Sequence, residues 1–139
     1  MEFDERKALA NYRLEQSKEN LEEAYILLEN NKYKGASNRA YYSMFHGVQA
    51  LANLEGKDFS KHSGLISYFN YNYIKTGVFS KEVGESVNSA QRYREKSDYD
   101  AFYVISREIV EKQVRSAKMV LEQIESYLVK EINRMEKQG

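Results

Sequence analysis

One arginine and one of the two histidines of this chain, Arg39 and His46, lie seven residues apart in a segment that is otherwise apolar and helical in pattern. In an α-helix seven steps turn through about 700°, so both side chains project from nearly the same side, two turns apart. Tyr42 and Ser43 fall between them on that side. The opposite side carries small and aliphatic residues, namely Ala40, Met44, Val48 and Leu51. We therefore predict a core-facing side and a polar side that can bind an anion through arginine and exchange a proton through histidine.

The composition of the chain disfavours several other kinds of site. Lys and Arg total 21 and Asp and Glu total 21, so the net charge of zero gives no bulk attraction to nucleic acid or anionic lipid. The chain has no cysteine, which excludes thiol nucleophiles, thiolate metal sites and disulfides. The two histidines form no metal-binding helical pattern, and there is no phosphate-binding glycine loop. We expect neither a metal nor a cofactor.

The sequence also predicts where the protein resides. No apolar run approaches the roughly 20 residues that span a bilayer, and the segment Met1–Lys7 is not followed by an apolar signal core. The absence of cysteine is compatible with a reducing compartment. We expect a soluble cytoplasmic protein with no membrane partner.

Helical periodicity predicts the elements that must position the polar side. At 139 residues the chain has the size of one domain, and it contains no proline to interrupt long helices. Apolar residues recur at helical spacing over five segments, at about residues 4–30, 36–54, 60–75, 81–96 and 106–137. These segments predict an all-α fold, an antiparallel up-and-down bundle of four to five helices. We expect its core to cover about residues 5–130 and the tail from Met135 to Gly139 to fray.

Aromatic residues crowd the third predicted helix. Tyr68, Phe69, Tyr71 and Tyr73 are too closely spaced to face one core together. A second buried surface is the natural explanation, and we predict a homodimer whose interface includes this helix or the exposed edge of the second helix.

Other polar residues form weaker candidate ligand sites. His62, flanked by Lys61 and Ser63, falls in the first turn of the third helix, where free N–H groups favour an anion such as phosphate. Arg92 and Tyr99 belong to a small basic and aromatic segment at the end of the fourth helix. The alternatives are a polar helix start that needs no ligand and a solvated face with paired charges.

Four segments, taken in order and spacing, resemble the small stand-alone HEPN domains of bacteria and archaea. They are Ser37–His46 (SNRAYYSMFH), Lys61–Ile66 (KHSGLI), Lys75–Phe79 (KTGVF) and Arg92–Tyr99 (RYREKSDY). The resemblance implies a helical bundle that commonly dimerises. Many such proteins are toxin-like ribonucleases encoded beside a minimal nucleotidyltransferase antitoxin, whereas others are linked only to nucleotide or RNA binding. The catalytic signature of the family is an arginine followed after four to six residues by a histidine, which implies Arg39 and His46 as catalytic residues.

RNA cleavage without metal needs a base for the 2′-hydroxyl, an acid for the leaving oxygen and cations for the phosphorane. Two protomers across a two-fold axis would supply two copies of Arg39 and His46, with Tyr42 and Ser43 beside the substrate. In the alternative, Arg39 pairs with a carboxylate such as Asp98 or Glu95, and His46 is a hydrogen-bonded residue at a packing edge.

Two functions therefore remain open. One is a metal-independent endoribonuclease toxin that uses the arginine and histidine. The other is a non-catalytic module that holds a nucleotide, RNA or a partner protein in the same cleft. Ala40, where catalytic relatives often carry a polar residue, and the early position of the motif favour the second function.

Overall fold

The computed structural model describes residues 2–138, and within them every regular element is helical. The five α-helices are α1 (Phe3–Glu29), α2 (Tyr33–Leu54), α3 (His62–Phe69), α4 (Lys81–Tyr99) and α5 (Arg107–Gln138). A single π-helical turn, Asn70–Ile74, continues α3. The all-α prediction is confirmed.

Helices α1 and α2 form a tight antiparallel hairpin. The connecting turn is short and contains Asn31 in the left-handed region, with φ of 61°. At the middle of the hairpin the backbones approach closely through small residues. Ser17 Oγ donates to the Ser43 carbonyl oxygen at 2.5 Å, and Ser43 Oγ donates to the Ser17 carbonyl oxygen at 2.9 Å. A Cβ added to Gly47 would lie only 3.2 Å from a methyl group of Ile124 on α5, so glycine lets α5 pack against this hairpin.

Helix α2 is the central element of the bundle. The side predicted to face the core does so, since Ala40, Met44, Val48 and Leu51 are each at most 1% exposed. Helix α5 covers them with apolar residues at helical spacing, namely Val110, Val114, Ala117, Leu121, Ile124 and Leu128. The polar side of α2 is consequently held in a fixed direction relative to α1, α3 and α4.

Helix boundaries follow local signals. Gly56 and Gly77 take positive φ values of 77° and 81° after α2 and after the π-helical turn, where left-handed backbone favours glycine. Ser80 is the N-cap of α4, and its Oγ accepts from the Val83 amide at 3.3 Å. Helix α2 begins at Tyr33, three residues before its predicted start.

The C-terminal tail is helical through Gln138, and its fraying in solution stays a prediction. Helix α5 continues through Gln138, and Lys7 of α1 forms an ion pair with Glu136. Arg134 Nη2 lies 2.8 Å from Glu131 Oε1 one turn earlier. These contacts extend the helix past the predicted core boundary at residue 130, while Gly139 lies outside the described residues.

The bundle itself uses most of the aromatic surface of α3. Phe69 and Tyr73 are buried in the core, and Tyr68 donates its hydroxyl proton to Glu55 at 2.5 Å. Only Tyr71 of this group is largely exposed, at 66%. The surplus that motivated a dimer interface at α3 is smaller than the sequence suggested, and the homodimer stays a prediction.

None of the helices within residues 2–138 is both long enough and apolar enough to cross a lipid bilayer.

Candidate functional site

The polar side of α2 brings Arg39, Tyr42 and His46 together at the surface. The guanidinium carbon of Arg39 lies 5.7 Å from the centroid of the Tyr42 ring, and the His46 ring centroid lies 6.1 Å from the same centroid. All three side chains are half-buried. The shared side predicted from helical geometry is therefore observed for these three residues, and the tyrosine ring links the arginine to the histidine.

Arg39 keeps a charge that is only loosely paired. Its Nη1 donates to Asn20 Oδ1 on α1 at 3.0 Å and lies 3.9 Å from Glu23 Oε2, at the long limit of an ion pair. The carboxylates considered from sequence, Asp98 and Glu95, are not its partners. A guanidinium that is positioned by a neutral amide and is 40% exposed is available to an anionic ligand.

His46 is oriented by its neighbour one turn along the helix. Its Nδ1 lies 2.7 Å from Gln49 Oε1. Because an amide oxygen can only accept, Nδ1 carries a hydrogen, and Nε2 is the atom that can take up or release a proton. Burial lowers the pKa of His46, the hydrogen bond to Gln49 opposes this shift, and the positive charges of Arg13 and Arg39 add to it. The ring is thus neutral near pH 7, which suits a general base.

A second arginine reaches the same tyrosine from α4. The guanidinium carbon of Arg94 lies 5.3 Å from the Tyr42 ring centroid, and its Nη2 lies 3.3 Å from Asp98 Oδ1. Tyr42 therefore contacts two guanidinium groups from helices far apart in sequence. Such contacts orient both cations without using their N–H groups, so the N–H groups not bonded to Asn20 or Asp98 remain to bind an anion.

His62 lies against this group, and its predicted role in binding an anion stays a prediction. It is the first residue of α3, and its ring centroid lies 4.1 Å from Phe45 and 6.2 Å from Tyr42. Its Nδ1 lies 2.9 Å from the Tyr41 hydroxyl oxygen. Burial lowers the pKa of His62, as does the charge of Arg94, while Asp98 opposes the shift. We call the set Arg39, Tyr42, His46, His62 and Arg94 the arginine–histidine cluster.

The structure does not place Ser43 in the cluster. Ser43 is completely buried, and its hydroxyl is bonded to Ser17 across the α1–α2 contact. Its selection as a ligand-binding residue is wrong because one residue beyond Tyr42 the helix has turned by about 100° toward α1.

Arg92 and Tyr99 are also separate from the cluster. They lie on the side of α4 that faces away from Tyr42, where they border a shallow depression with Lys96. Tyr99 is 89% exposed. Within residues 2–138 no hydrogen bond or ring contact joins either residue to the cluster. The segment Arg92–Tyr99 does reach the cluster, but through Arg94. This residue lies two positions from Arg92 and on the opposite side of the helix.

A groove of about 720 Å³ lies between α4 and α5, away from the cluster. Gln113 of α5 lines it and is 7% exposed, yet neither polar atom of its amide has a hydrogen-bond partner. Arg92 borders the same groove.

Among the described residues, no group of three or more histidine, cysteine or acidic side chains is arranged to hold a metal ion. The arginine–histidine cluster presents imidazole, guanidinium and phenol groups.

The chain forms an all-α bundle with an arginine and a histidine two turns apart on its central helix. These two features point to one class of protein, the HEPN domain. The family model described as the HEPN domain matches residues 10–127. The chain belongs to the HEPN family.

Curated relatives cover most of the chain. This chain is 34% identical over 132 residues to a UPF0332 protein of Thermotoga maritima. The matched region covers 95% of this chain and 99% of that protein. It is 34% identical over 116 residues to a protein of Methanocaldococcus jannaschii named "Putative toxin MJ0142", covering 84% of this chain and 79% of that protein. A second protein of that archaeon, "Putative toxin MJ0605", is 35% identical over 86 residues, covering 62% of this chain and 64% of that protein.

Proposed function

We propose that this HEPN protein is a metal-independent endoribonuclease that acts in the cytoplasm as the toxin of a toxin–antitoxin pair. The observation that carries the proposal is the geometry of α2, where His46 offers a free Nε2 beside the loosely paired guanidinium of Arg39. Two relatives carry the name "Putative toxin", which supports the biological role.

The reaction follows from the groups present. His46 Nε2 takes the proton of the RNA 2′-hydroxyl, and the resulting oxygen attacks the adjacent phosphorus. Arg39 stabilises the negative charge that develops on the phosphorane, since a guanidinium near half-buried rings acts in a medium less polar than water. The face or edge of Tyr42 positions a base or the phosphate. The expected product is a 2′,3′-cyclic phosphate.

The proposal is tested with purified protein and single-stranded RNA in the presence of a chelator. Wild type should cleave, while Arg39→Ala and His46→Ala should each lower the rate by about 100-fold or more, because each removes a transition-state role. Arg92→Ala is the matched control, since this arginine lies on the opposite side of α4, and it should cleave like wild type. Circular dichroism checks that the variants remain folded.

A non-catalytic function is the second candidate, and the two guanidinium groups around Tyr42 favour it, because they can hold a nucleotide or RNA phosphate without turnover. Wild-type protein that binds RNA or nucleotides but cuts nothing between about pH 5.5 and 8 would replace the ribonuclease with this binding module.

We further propose that the protein forms a homodimer and is neutralised by a minimal nucleotidyltransferase. Apolar surface that supports self-association remains exposed at Tyr71 and in the connection between α4 and α5, where Phe102 is 92% and Val104 is 87% exposed. Light scattering at micromolar concentration should give twice the chain mass, and a monomer mass would contradict the dimer. Co-purification with a minimal nucleotidyltransferase expressed from an adjacent reading frame would support the antitoxin.

A further inference from the structure

We propose that His62 is a second catalytic residue of the same protomer, which donates a proton to the leaving 5′-oxygen while His46 takes the proton of the 2′-hydroxyl. This inference rests on the proposed ribonuclease function and deepens it, because it assigns the general acid.

The two imidazoles border one surface. Phe45 lies beneath both of them, with ring centroids 5.8 Å from His46 and 4.1 Å from His62. Tyr42 lies 6.1 Å and 6.2 Å from the same two rings. Although sixteen residues separate the histidines in sequence, the fold places them around a shared pair of aromatic side chains, and both Arg39 and Arg94 also contact the Tyr42 ring.

Both histidines are held through the same ring atom. Gln49 holds Nδ1 of His46 at 2.7 Å, and the Tyr41 hydroxyl holds Nδ1 of His62 at 2.9 Å. In each ring Nε2 is left to exchange a proton with a substrate. A phenol hydroxyl can donate to a bare Nδ1 or accept from a protonated one, so Tyr41 supports His62 in both protonation states. Burial raises the pKa of Tyr41, so its hydroxyl keeps its proton throughout.

The surroundings of His46 and His62 favour different roles, base for the first and acid for the second. His46 is half-buried and faces Arg13 of α1, Arg39 of its own helix and His62, all of which disfavour the charged ring. It is suited to accept a proton. His62 is exposed and faces Asp98 as well as Arg94 of α4. Burial and Arg94 lower the pKa of His62, and the carboxylate of Asp98 opposes that shift, whereas among the described residues no carboxylate opposes it at His46. Of the two rings, the more exposed His62 is therefore the better placed to donate a proton.

The step balances without any further reactant. The O2′–P bond forms as the 2′-hydroxyl proton passes to His46 Nε2, and the P–O5′ bond breaks as a proton passes from His62 Nε2 to O5′. The products are a 2′,3′-cyclic phosphate, a free 5′-hydroxyl, a protonated His46 and a neutral His62. One protomer then contains a base, an acid and two cations, so the chemistry does not require a second copy of Arg39 and His46.

Leaving-group dependence tests the assignment. The two substrates are an ordinary dinucleotide with a 5′-alcohol leaving group and uridine 3′-(4-nitrophenyl phosphate), whose nitrophenolate needs no acid. His62→Ala should lower cleavage of the dinucleotide by about 100-fold or more and leave the nitrophenyl ester nearly unaffected. His46→Ala should be slow on both. Ser63→Ala, in the same exposed turn, is the matched control and should behave like wild type on both.

The pH profile and a mixing experiment complete the test. Wild type should show a bell-shaped rate profile, and His62→Ala should lose the fall in rate at high pH, because no acid must stay protonated. If His62→Ala slows cleavage of both substrates equally, or slows neither, the inference about His62 is wrong. The ribonuclease proposal would still stand as long as the wild type cleaves. A wild type that cuts neither substrate overturns both proposals. Mixed His46→Ala and His62→Ala chains should stay inactive, and recovered activity would place the two histidines in different protomers.

Discussion

Replacing Gln113 by methionine should stabilise the protein. The Gln113 side chain is 7% exposed, and both polar atoms of its amide lack a hydrogen-bond partner. Mutational data place the cost of an unsatisfied buried amide at about 1–3 kcal/mol. Methionine has a similar length and shape without the amide, so it keeps the packing beside the groove and removes that cost.

The expected gain in the free energy of unfolding is about 1–3 kcal/mol. With an unfolding entropy of about 2.1 cal/mol/K per residue, this gain corresponds to a rise in Tm of about 3–10 °C for a domain of this size.

The assay is urea unfolding followed by circular dichroism at two or more temperatures. Gln123→Met, on an exposed position of the same helix, is the control and should change stability by less than about 0.5 kcal/mol. A clear loss of stability in Gln113→Met would refute the reasoning, because it would mean that the amide is hydrogen-bonded in solution.

Three further predictions concern the cluster and the helix that carries it. Tyr42→Ala should weaken RNA binding because it removes the ring that contacts both arginines, whereas Tyr42→Phe should retain binding; filter binding compares them, and equal loss in both would assign the effect to the hydroxyl. Met44→Ala should lower the free energy of unfolding in urea by about 2–5 kcal/mol, since this core side chain is 1% exposed. An unchanged urea midpoint would mean that the core-facing and polar sides of α2 were assigned the wrong way round. Burial lowers the pKa of His46 in the folded protein, so its stabilising contribution is present above the unfolded value of about 6.5 and is lost as pH falls below it. Urea midpoints at low and neutral pH should therefore differ less in His46→Gln than in wild type, and an identical difference in both would contradict the shift.

Helical periodicity in the sequence was sufficient to predict the core-facing side of α2 and part of the candidate site. The spacing of Ala40, Met44, Val48 and Leu51 identified the buried side of α2, because one helix against one core obeys a single period. The same geometry correctly put Arg39, Tyr42 and His46 on one side. Ala40 is completely buried, which gives a physical reason for a small apolar residue after the arginine.

The remaining cluster residues depend on tertiary packing, which periodicity does not encode. Arg94 was visible only as part of a basic segment, and nothing local indicated that α4 turns it, and not Arg92, toward Tyr42. His62 was identified by its position at a helix start, but its contact with Phe45 follows from how α3 docks on α2. Ser43 was misassigned because a difference of one residue around the helix turns its side chain from the surface into the contact with α1.

The α1–α2 hairpin also sets an order of assembly. Its two helices are joined by a short turn and pack along most of their length, so their contacts can spread outward from the turn without closing a long loop. We expect this hairpin to form early in folding and to open last in native-state hydrogen exchange. Arg39 and His46 belong to it together with their partners Asn20 and Gln49. The anion-binding half of the cluster is thus prepared locally, and the docking of α3 and α4 adds the other half.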